Sequence, residues 1–474
     1  MITECTPSQL EFGFHGRRQV TACFDGGRLT TEGGGLLLRE TDARIGLLER
    51  MASCFRDYRN PSAVEHTVRD LVSQRVYGLA LGYEDLNDHN QLRLDAFMAL
   101  LVGKSDITGA DRRRGRDKGR PLASASGLNR LELSLPEQAS VDRYKRIPAD
   151  SAALDRLLVD LFLEAHDEAP AEIVLDLDAT DDPLHGTQEG RFFHGYYRCY
   201  CYMPLYAFCG EHLLLARLQR SNQDASAGTI RELAPIVARI REAWPDTRIV
   251  LRGDSGFCRE RIMAWCEAQG LFYVFGVARN PRLARRLAKA LAKSRRRFHA
   301  TEKASRRFRE FRYRTRSTWS RKRRVVGKAE WLKKGSNPRF IVSNLPRSRA
   351  GKQALYEQLY CARGDMENRI KEQQLDLFAD RTSTATMAAN QLRLYFSSFA
   401  YVLLAAVRRL ALEGTSKARL QCGTLRLRFL KIAARVRITH RRIWIHLSNA
   451  FPWQDDFAQA LANLQRRPLY HPPA

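Results

Sequence analysis

The sequence lacks several patterns that identify common protein classes. Its ten cysteines include no C-x-x-C pair, so it shows no zinc ribbon or redox motif, and they are too sparse for a disulfide scaffold. No apolar segment opens the chain, so we expect no signal peptide. The longest apolar run, residues 394–407, is shorter than the about 20 residues that cross a bilayer. It therefore predicts a buried helix in a cytoplasmic protein without a membrane partner.

Acidic residues are scarce relative to basic ones. The 474 residues include 79 Lys and Arg but 52 Asp and Glu, which gives a formal net charge of +27. Segment 282–328 alone holds 20 basic residues and two glutamates, a net +18. Such an excess predicts a polyanionic partner. A second basic segment, 111–120, fits either a DNA-contacting helical module or a solvated linker.

Hydrophobic periodicity divides the chain into regions. Residues 1–150 are mainly helical, and we expect them to form a DNA-binding region. Short strands begin at residue 171, in the order β-β-β-α-β-α-β, which predicts a mixed α/β fold with a ribonuclease H-like core. The predicted core comprises residues 171–280 and 347–412. The basic β-rich segment 281–346 separates its parts, and a basic hairpin and tail, 413–474, follow.

Acidic residues close two of the predicted strands. Asp178 ends the run EIVLDLD, and Asp176 lies two residues earlier on the same face of that strand. Asp254 ends the run RIVLRGD. A carboxylate at a strand end is rigid and faces solvent, an arrangement that suits a hard cation such as Mg²⁺. Asp181 and Asp182 lie beyond the strand, and we interpret them as turn residues.

A third acid, Glu367, lies on a predicted helix with Tyr360, Arg363 and Lys371. The spacings of three, four and four residues place these side chains on roughly one helix face. A Glu–Lys pair with a neighbouring arginine would explain this helix alone. It would not explain the two strand-end acids upstream.

Together these patterns resemble the DDE transposases of bacterial insertion elements, in particular the insertion sequence 1380 family, a relative of the insertion sequence 4 group. The resemblance rests on LDLDATDDPLHGTQEG, on RGDSGF, on Y-x-x-R-x-x-x-E and on NQLRLYFSSFAYVL, and it extends over nearly the whole chain. The related group has a lysine seven residues after the glutamate. Here that position is Gln374, and the nearest lysine is Lys371.

The resemblance implies a transposase that binds terminal inverted repeats, cleaves the transposon ends and joins them to target DNA. Asp178, Asp254 and Glu367 would hold two Mg²⁺ ions, for which Mn²⁺ would substitute, and Asp176 is the alternative first ligand. Related enzymes act as homodimers on paired ends, some of them through a hairpin, and we expect a homodimer in the bacterial cytoplasm at the nucleoid.

The resemblance also implies a set of DNA-contacting residues, namely Tyr360, Arg363, Lys371, Trp319, Arg321, Arg323 and Arg324. The first three would position phosphates near the cut end. The others belong to the basic segment 281–346. The resemblance implies that this segment is an insertion in the core and that it would follow the DNA backbone. Trp319 would stack on an extruded base, with packing in a small β core as its alternative interpretation.

Three other functions share parts of this pattern. A non-catalytic DNA-binding protein derived from a transposase would keep the basic surfaces, but it would not need acids at all three positions. An RNA-binding protein would leave these acids unexplained. A metal-dependent nuclease without strand transfer would use the same three acids.

Overall fold

The computed structural model describes residues 9–471, which form α-helices and β-strands in both halves of the chain. The strands are β1 (Leu10–His15), β2 (Arg18–Ala22), β3 (Arg28–Thr30), β4 (Glu172–Ala179), β5 (Asp182–Pro183), β6 (Phe192–His194), β7 (Cys199–Tyr202), β8 (Leu205–Cys209), β9 (His212–Arg217), β10 (Arg248–Gly253), β11 (Phe272–Val277), β12 (Ser305–Tyr313), β13 (Arg323–Leu332), β14 (Gly335–Ser336), β15 (Arg339–Ser343), β16 (Ala434–Ile438) and β17 (Ile443–Leu447). The α-helices are α1 (Leu36–Ile45), α2 (Leu47–Ser53), α3 (Val68–Leu81), α4 (His89–Leu92), α5 (Ala96–Val102), α6 (Ala125–Glu132), α7 (Ser151–Leu163), α8 (Thr229–Ala243), α9 (Glu260–Ala268), α10 (Pro281–Thr301), α11 (Lys352–Ala354), α12 (Gly364–Lys371), α13 (Met387–Ala406), α14 (Cys422–Leu425) and α15 (Gln454–Gln465).

The chain folds into two compact units. The terminal unit comprises residues 9–52, 57–131 and 406–471 of the described chain, and the central unit comprises 53–56 and 132–405. In the terminal unit β16 pairs with both β17 and β3, so strands from the two ends of the chain share one sheet. The sequence predicts the N-terminal and C-terminal regions as separate segments, because pairing between distant strands leaves no local signal.

The terminal unit is mainly helical, and α3 lies at its centre. Thr67 and Asp70 form a capping box at the start of this helix, each side chain bonding the other's backbone N–H. Such a cap satisfies donors that the first turn leaves free. Every residue from Leu71 to Leu81 is buried, so α3 is stabilised by contacts on all sides of its axis.

The central unit contains a nine-stranded mixed sheet. Its order is β12-β13-β15-β11-β10-β4-β8-β9, with β14 paired to β13. The strands β4, β10 and β11 run parallel to one another, and the neighbours on both sides are antiparallel. The mixed α/β class predicted from the sequence is therefore confirmed.

The two faces of this sheet have different environments, as β4 illustrates. Ile173, Leu175 and Leu177 point into a large apolar cluster that also contains residues of α8 and α9. Asp176 and Asp178 alternate with them and so face the opposite side. The cluster on that side includes Leu355 and Tyr356. The strand thus directs its acids toward the segment that follows residue 350.

The basic segment 281–346 extends the main sheet rather than forming a separate one. Strand β15 pairs with β11, and β13 pairs with β15. Val325 and Val326 of β13 are both fully buried, one in each apolar cluster. The predicted insertion is continuous with the core because β13 has an apolar partner on each face.

One helical segment among the described residues is long and apolar enough to cross a membrane. It spans Met387–Ala411, with a mean hydropathy of 1.3 over its most apolar window, and 83% of that window is buried inside the protein. The predicted buried helix over residues 394–407 is confirmed.

Candidate active site

Asp178 and Asp254 lie side by side at the carboxyl edge of two parallel strands. The register pairs Arg252 with Asp176 and Gly253 with Leu177. The next residue on each strand is therefore level with the other, at the spacing of about 4.8 Å between neighbouring strands. The Asp254 carboxylate also accepts a bond from the Gly256 N–H at 2.7 Å, which fixes its orientation at the strand end.

Glu367 is carried by a helical segment, residues 352–376, which we call the glutamate helix. Its hydrogen-bonding pattern changes along its length, from a π-helical stretch at Leu355–Tyr360 to a 3₁₀ turn at Cys361–Arg363 and then to α12. Stretches with π geometry are frequent at functional sites. The sequence predicts this helix correctly but not the changes of pitch, which alter where Tyr360 points relative to Glu367.

Arg363 joins the two strand-end acids to the glutamate helix. Its Nη1 donates to Asp178 Oδ2 at 3.2 Å, and its Nη2 donates to Glu367 Oε1 at 3.0 Å. The side chains of Arg363 and Asp178 expose 19% and 18% of their surface, whereas Glu367 exposes 48%. The arginine therefore brings an acid from the sheet and an acid from the helix into one cluster.

The charge state of Asp178 reflects this crowding. Burial raises its pKa from 3.8 to about 6, Arg363 opposes the shift, and the charges of Asp254 and Glu367 raise the pKa further. A carboxylate whose pKa is raised by neighbouring negative charges favours a nearby positive charge. The cluster is therefore a place where added positive charge is stabilised.

Asp176 has a different environment from Asp178. Its two carboxylate oxygens accept from Arg252 Nε and Nη2, the latter at 2.6 Å, and only 4% of the residue is exposed. Arg252 also donates to the carbonyl oxygens of Leu359 and Ala362. Asp176 is thus occupied by an ion pair, which leaves Asp178 as the strand acid beside Asp254.

Sequence reasoning missed Arg252. The signal available was an arginine within the otherwise apolar run RIVLRG, where a buried charge needs a counter-charge. Asp176 supplies it from the neighbouring strand, with which Arg252 is in register.

Tyr360 lies over the end of β11. A Cβ atom placed on Gly276 would be 2.7 Å from the Tyr360 hydroxyl and 2.9 Å from the Ser255 nitrogen. Burial raises the pKa of Tyr360, Arg363 lowers it and Asp254 raises it. Its hydroxyl thus stays protonated near neutral pH and is placed to donate a hydrogen bond beside Asp254.

Gln374 and Lys371 differ in their surroundings. Gln374 Nε2 donates to the Asp181 carbonyl oxygen at 3.1 Å, so this side chain holds the loop that follows β4. Lys371 is exposed at the end of α12. The position that carries lysine in the related group is therefore structural in this chain.

Three residues expected to contact DNA have internal partners instead. Trp319 is 6% exposed and meets Tyr313 edge to face at a centroid distance of 5.7 Å. Arg323 is 3% exposed and binds Glu260 and Glu267. Arg324, at 6%, binds the Leu345 carbonyl and Glu310.

These placements correct the expectation for the three residues, because a buried ring has no face for a base and a buried guanidinium has no phosphate within reach. Arg321 also pairs with Glu267, at 2.6 Å, but its side chain is 60% exposed. Of the four residues of this segment that were expected to contact DNA, Arg321 is the one that is exposed to solvent.

The three carboxylates match a hard cation in their chemistry. Asp178, Asp254 and Glu367 offer only oxygen atoms, the ligands that Mg²⁺ prefers. In the arrangement described, Arg363 takes the position between Asp178 and Glu367. No three metal-binding side chains of residues 9–471 lie within reach of a single ion in this arrangement.

Comparison with known proteins identifies a family. Residues 12–469 match the family model described as Transposase DDE domain group 1. Among solved structures, the cryo-EM structure of a piggyBac transposase synaptic complex with hairpin DNA contains a similar chain. It is 12% identical, has a TM-score of 0.37, and the match covers 93% of this chain and 86% of that chain. No curated protein matches the sequence.

Proposed function

This chain belongs to the DDE transposases of domain group 1, and we propose that it binds the terminal inverted repeats of an insertion element, cleaves the transposon ends and joins them to target DNA. Membership in the family supports DNA as its partner. The observation that carries the proposal is the cluster of Asp178, Asp254 and Glu367, drawn from two parallel strands and one helix.

We assign Asp178, Asp254 and Glu367 as the ligands of two divalent ions, Mg²⁺ or Mn²⁺. Bound there, the ions would activate the attacking hydroxyl and stabilise the leaving 3′ oxygen. The oxygen donor set and the raised pKa of Asp178, to which the charges of Asp254 and Glu367 contribute, support this assignment. Asp176 is not included, because Arg252 already neutralises it.

The remaining residues of the cluster act on the DNA strand. Arg363 donates two hydrogen bonds to carboxylates in the free protein, and its planar guanidinium suits phosphate oxygens equally well. When a phosphate approaches, Arg363 turns toward it and releases Asp178 and Glu367. Tyr360 donates a hydrogen bond from its hydroxyl group to a phosphate oxygen. Lys371 contacts the DNA backbone from the exposed end of α12.

Two basic surfaces, one in each unit, would hold the DNA. The central unit offers α10, which buries Leu283, Leu287, Ala290 and Ser294 and turns its basic side chains outward. Arg321 extends this surface. This surface also depends on Arg323, Arg324 and Trp319, because they stabilise the strands against which α10 packs.

The terminal unit contains a basic cavity of about 380 Å³, which we call the terminal basic cavity; its arginines are Arg93, Arg112, Arg114, Arg116, Arg120 and Arg130. Arg112 is held by Glu65 at 2.8 Å and by His66 at 2.7 Å. Burial and then Arg112 lower the pKa of His66 to about 3, so the imidazole stays neutral. Segment 111–120 is therefore ordered by specific contacts, which favours the DNA-contacting interpretation over a solvated linker.

The finer classification follows from the sequence patterns alone. We propose that the chain belongs with the insertion sequence 1380 family, has a ribonuclease H-like core, pairs two transposon ends as a homodimer and works at the bacterial nucleoid. Light scattering with and without DNA ends would measure the assembly. A monomer on both paired and single ends would contradict it.

The decisive experiment uses DNA that carries the genomic sequence flanking the coding region. Wild type with Mg²⁺ is expected to cut at the element ends, whereas Asp254→Asn and Glu367→Gln bind the same DNA without cutting. Asp365→Asn is the matched control, because Asp365 is exposed on the same helix two residues before Glu367. Joining of the new 3′ end to a plasmid distinguishes a transposase from a nuclease. Cleavage by Glu367→Gln at the wild-type rate would refute the site.

A further inference from the structure

A basic pocket adjoins the acid cluster, and we propose that it binds a phosphodiester group of the DNA strand next to the one being cleaved. The pocket has a volume of about 460 Å³ and is lined by Asp254 and Tyr360 together with Arg279, Lys328 and Arg339. The last three residues have no role in the site described above. This inference rests on the proposed function, since it needs DNA at the acid cluster.

The charge in this pocket is largely uncompensated. Among residues 9–471 no carboxylate lies within 4.0 Å of Arg279 or Arg339, and both are exposed. Arg339 Nε donates to the Asn337 side-chain oxygen at 3.2 Å, a neutral partner. Lys328 pairs with Glu330 at 2.6 Å. Two of the three cations are therefore free to bind an anion without giving up an existing ion pair.

The sheet register concentrates this charge. Lys328 on β13 lies directly opposite Arg339 on β15. Like charges that face each other across an antiparallel pair are destabilising. Arg279 reaches the same pocket from the end of β11, two residues after Val277, which pairs with Phe340. Three strands thus deliver positive charge to one point, and an anion between them relieves the repulsion.

The pocket keeps its depth because Gly276 has no side chain. A Cβ atom there would be 2.7 Å from the Tyr360 hydroxyl and 3.2 Å from the Asp254 carbonyl carbon. Tyr360 and Ser255, which both carry hydroxyl groups, line the pocket. With Arg363, which also lines it, the pocket thus combines four cationic residues with neutral donors, the mixture that a singly charged phosphodiester accepts.

The neighbouring acid decides the kind of anion. Asp254 lies on the wall of the same pocket and repels a small free dianion. A phosphodiester carries one charge and is attached to a strand, so its binding is supported by every other contact along the DNA. A group held here lies next to the phosphate that faces Asp178 and Asp254.

The test measures binding without cleavage. The DNA is a duplex of one element end, in which single phosphates are replaced in turn by neutral methylphosphonates. Affinities are compared for wild type and the double variant Arg279→Ala/Arg339→Ala. The control is Arg156→Ala, because Arg156 is exposed on α7, a helix that packs against the opposite face of the sheet. Inorganic phosphate is added in a separate arm as a competitor.

We expect one neutral linkage to weaken wild-type binding by about tenfold, as for the loss of a charge-assisted contact. The same linkage should have no effect on the double variant, whose salt dependence also falls by about one unit of slope per lost contact. Arg156→Ala should respond like wild type, and phosphate at millimolar concentration should not compete.

Equal sensitivity of wild type and the double variant at every position would overturn the proposal. So would displacement of the DNA by inorganic phosphate. A different result would contradict the proposed function instead. In that case wild type would not cleave the element end, although the neutral linkage still weakened its binding and not that of the double variant. The binding measurement itself needs no cleavage. The two failures are therefore distinguishable.

Discussion

Arg252 and Asp176 form a buried ion pair across two neighbouring parallel strands, and the same guanidinium holds two backbone carbonyls of the glutamate helix. Arg252 Nη2 donates to Asp176 Oδ2 at 2.6 Å and to the oxygen of Ala362 at 3.4 Å. One side chain thus links the sheet that carries Asp178 and Asp254 to the segment that carries Tyr360 and Arg363. Arg252 is a positioning residue for that segment.

Breaking this pair should lower both stability and cleavage. Asp176→Asn leaves a buried guanidinium without its counter-charge, and we expect a loss of about 3–5 kcal/mol in the free energy of unfolding. The double variant Asp176→Leu/Arg252→Met removes both charges and should recover most of that loss. Cleavage should stay low in the double variant, since Leu359 and Ala362 have lost their donor. Denaturation and cleavage assays check both expectations, and full cleavage by the double variant would contradict a positioning role.

Arg363 should be needed for chemistry but not for folding. Arg363→Ala removes a partly exposed side chain, so we expect less than about 1 kcal/mol of change in stability. Cleavage should fall by at least about 100-fold, the loss typical of removing a group that binds charge in the transition state. Arg363→Lys should restore little, because a lysine cannot donate two parallel bonds. Rescue by lysine to the wild-type rate would show that charge alone matters.

The stability of the metal-free protein should depend on pH through Asp178. Its pKa is about 6 in the folded protein and 3.8 as the ordinary value. The native state therefore keeps a proton that the unfolded state has released, and stability falls as pH rises from about 4 to about 6, by at most about 3 kcal/mol. Asp178→Asn should flatten this part of the profile.

A second acid titrates in the same window and provides the comparison. Burial raises the pKa of Asp42 in the terminal unit to about 6 as well. Asp42→Asn should also flatten the stability profile but leave cleavage intact, whereas Asp178→Asn should abolish cleavage. Chemical denaturation at pH 4, 5, 6 and 7 measures the difference. An unchanged profile in Asp178→Asn would place the titration elsewhere.

Trp319 should matter for folding rather than for DNA. Trp319→Ala opens a cavity beside Tyr313 and should cost about 3–5 kcal/mol. Trp319→Phe keeps most of the packing, and its affinity for a DNA end should stay within twofold of wild type. If Trp319 stacked on a base, the alanine variant would instead lose about 1–3 kcal/mol of DNA-binding free energy. Quenching of the Trp319 fluorescence on binding DNA would favour stacking.

The terminal basic cavity should contribute to affinity in a salt-dependent manner. Replacing Arg114, Arg116 and Arg120 by alanine should weaken binding and lower the slope of log K against log salt by up to about 3. All three are exposed, so folding should be unaffected. Arg156→Ala, an exposed arginine on α7, is the control. Equal slopes for the triple variant and wild type would assign the cavity another role.

Much of the site was predictable because its elements are local. Asp178 and Asp254 each close a largely apolar run, which is typical of buried parallel strands whose carboxyl ends meet at one edge. The helix that carries Glu367 follows from its 3.6-residue pattern. The proximity of all three residues is then a consequence of topology. Their roles as metal ligands remain a prediction.

The parts that the sequence did not reveal depend on distant partners. Arg323 and Arg324 belong to a run of basic residues, which predicts an exposed strand. Arg323 is buried because Glu260 and Glu267 lie 63 and 56 residues earlier in the chain and neutralise it. The high charge of this segment therefore predicts an exposed strand where the core strand β13 lies. The interpretation of segment 281–346 as a separate insertion has the same origin.

Because β12 belongs to the same sheet as β10, the distance between these two strands is fixed. Four inter-strand steps separate them, about 19 Å at 4.8 Å each. The exposed Arg306 and Arg312 lie on the same face of β12 as Phe308, the face that carries the acid cluster, and therefore stand about half a turn of B-DNA from Asp254. If the DNA backbone is bound at β12, the proposed cleavage would occur about five or six base pairs away. The hydrogen bonds of the sheet would fix this distance.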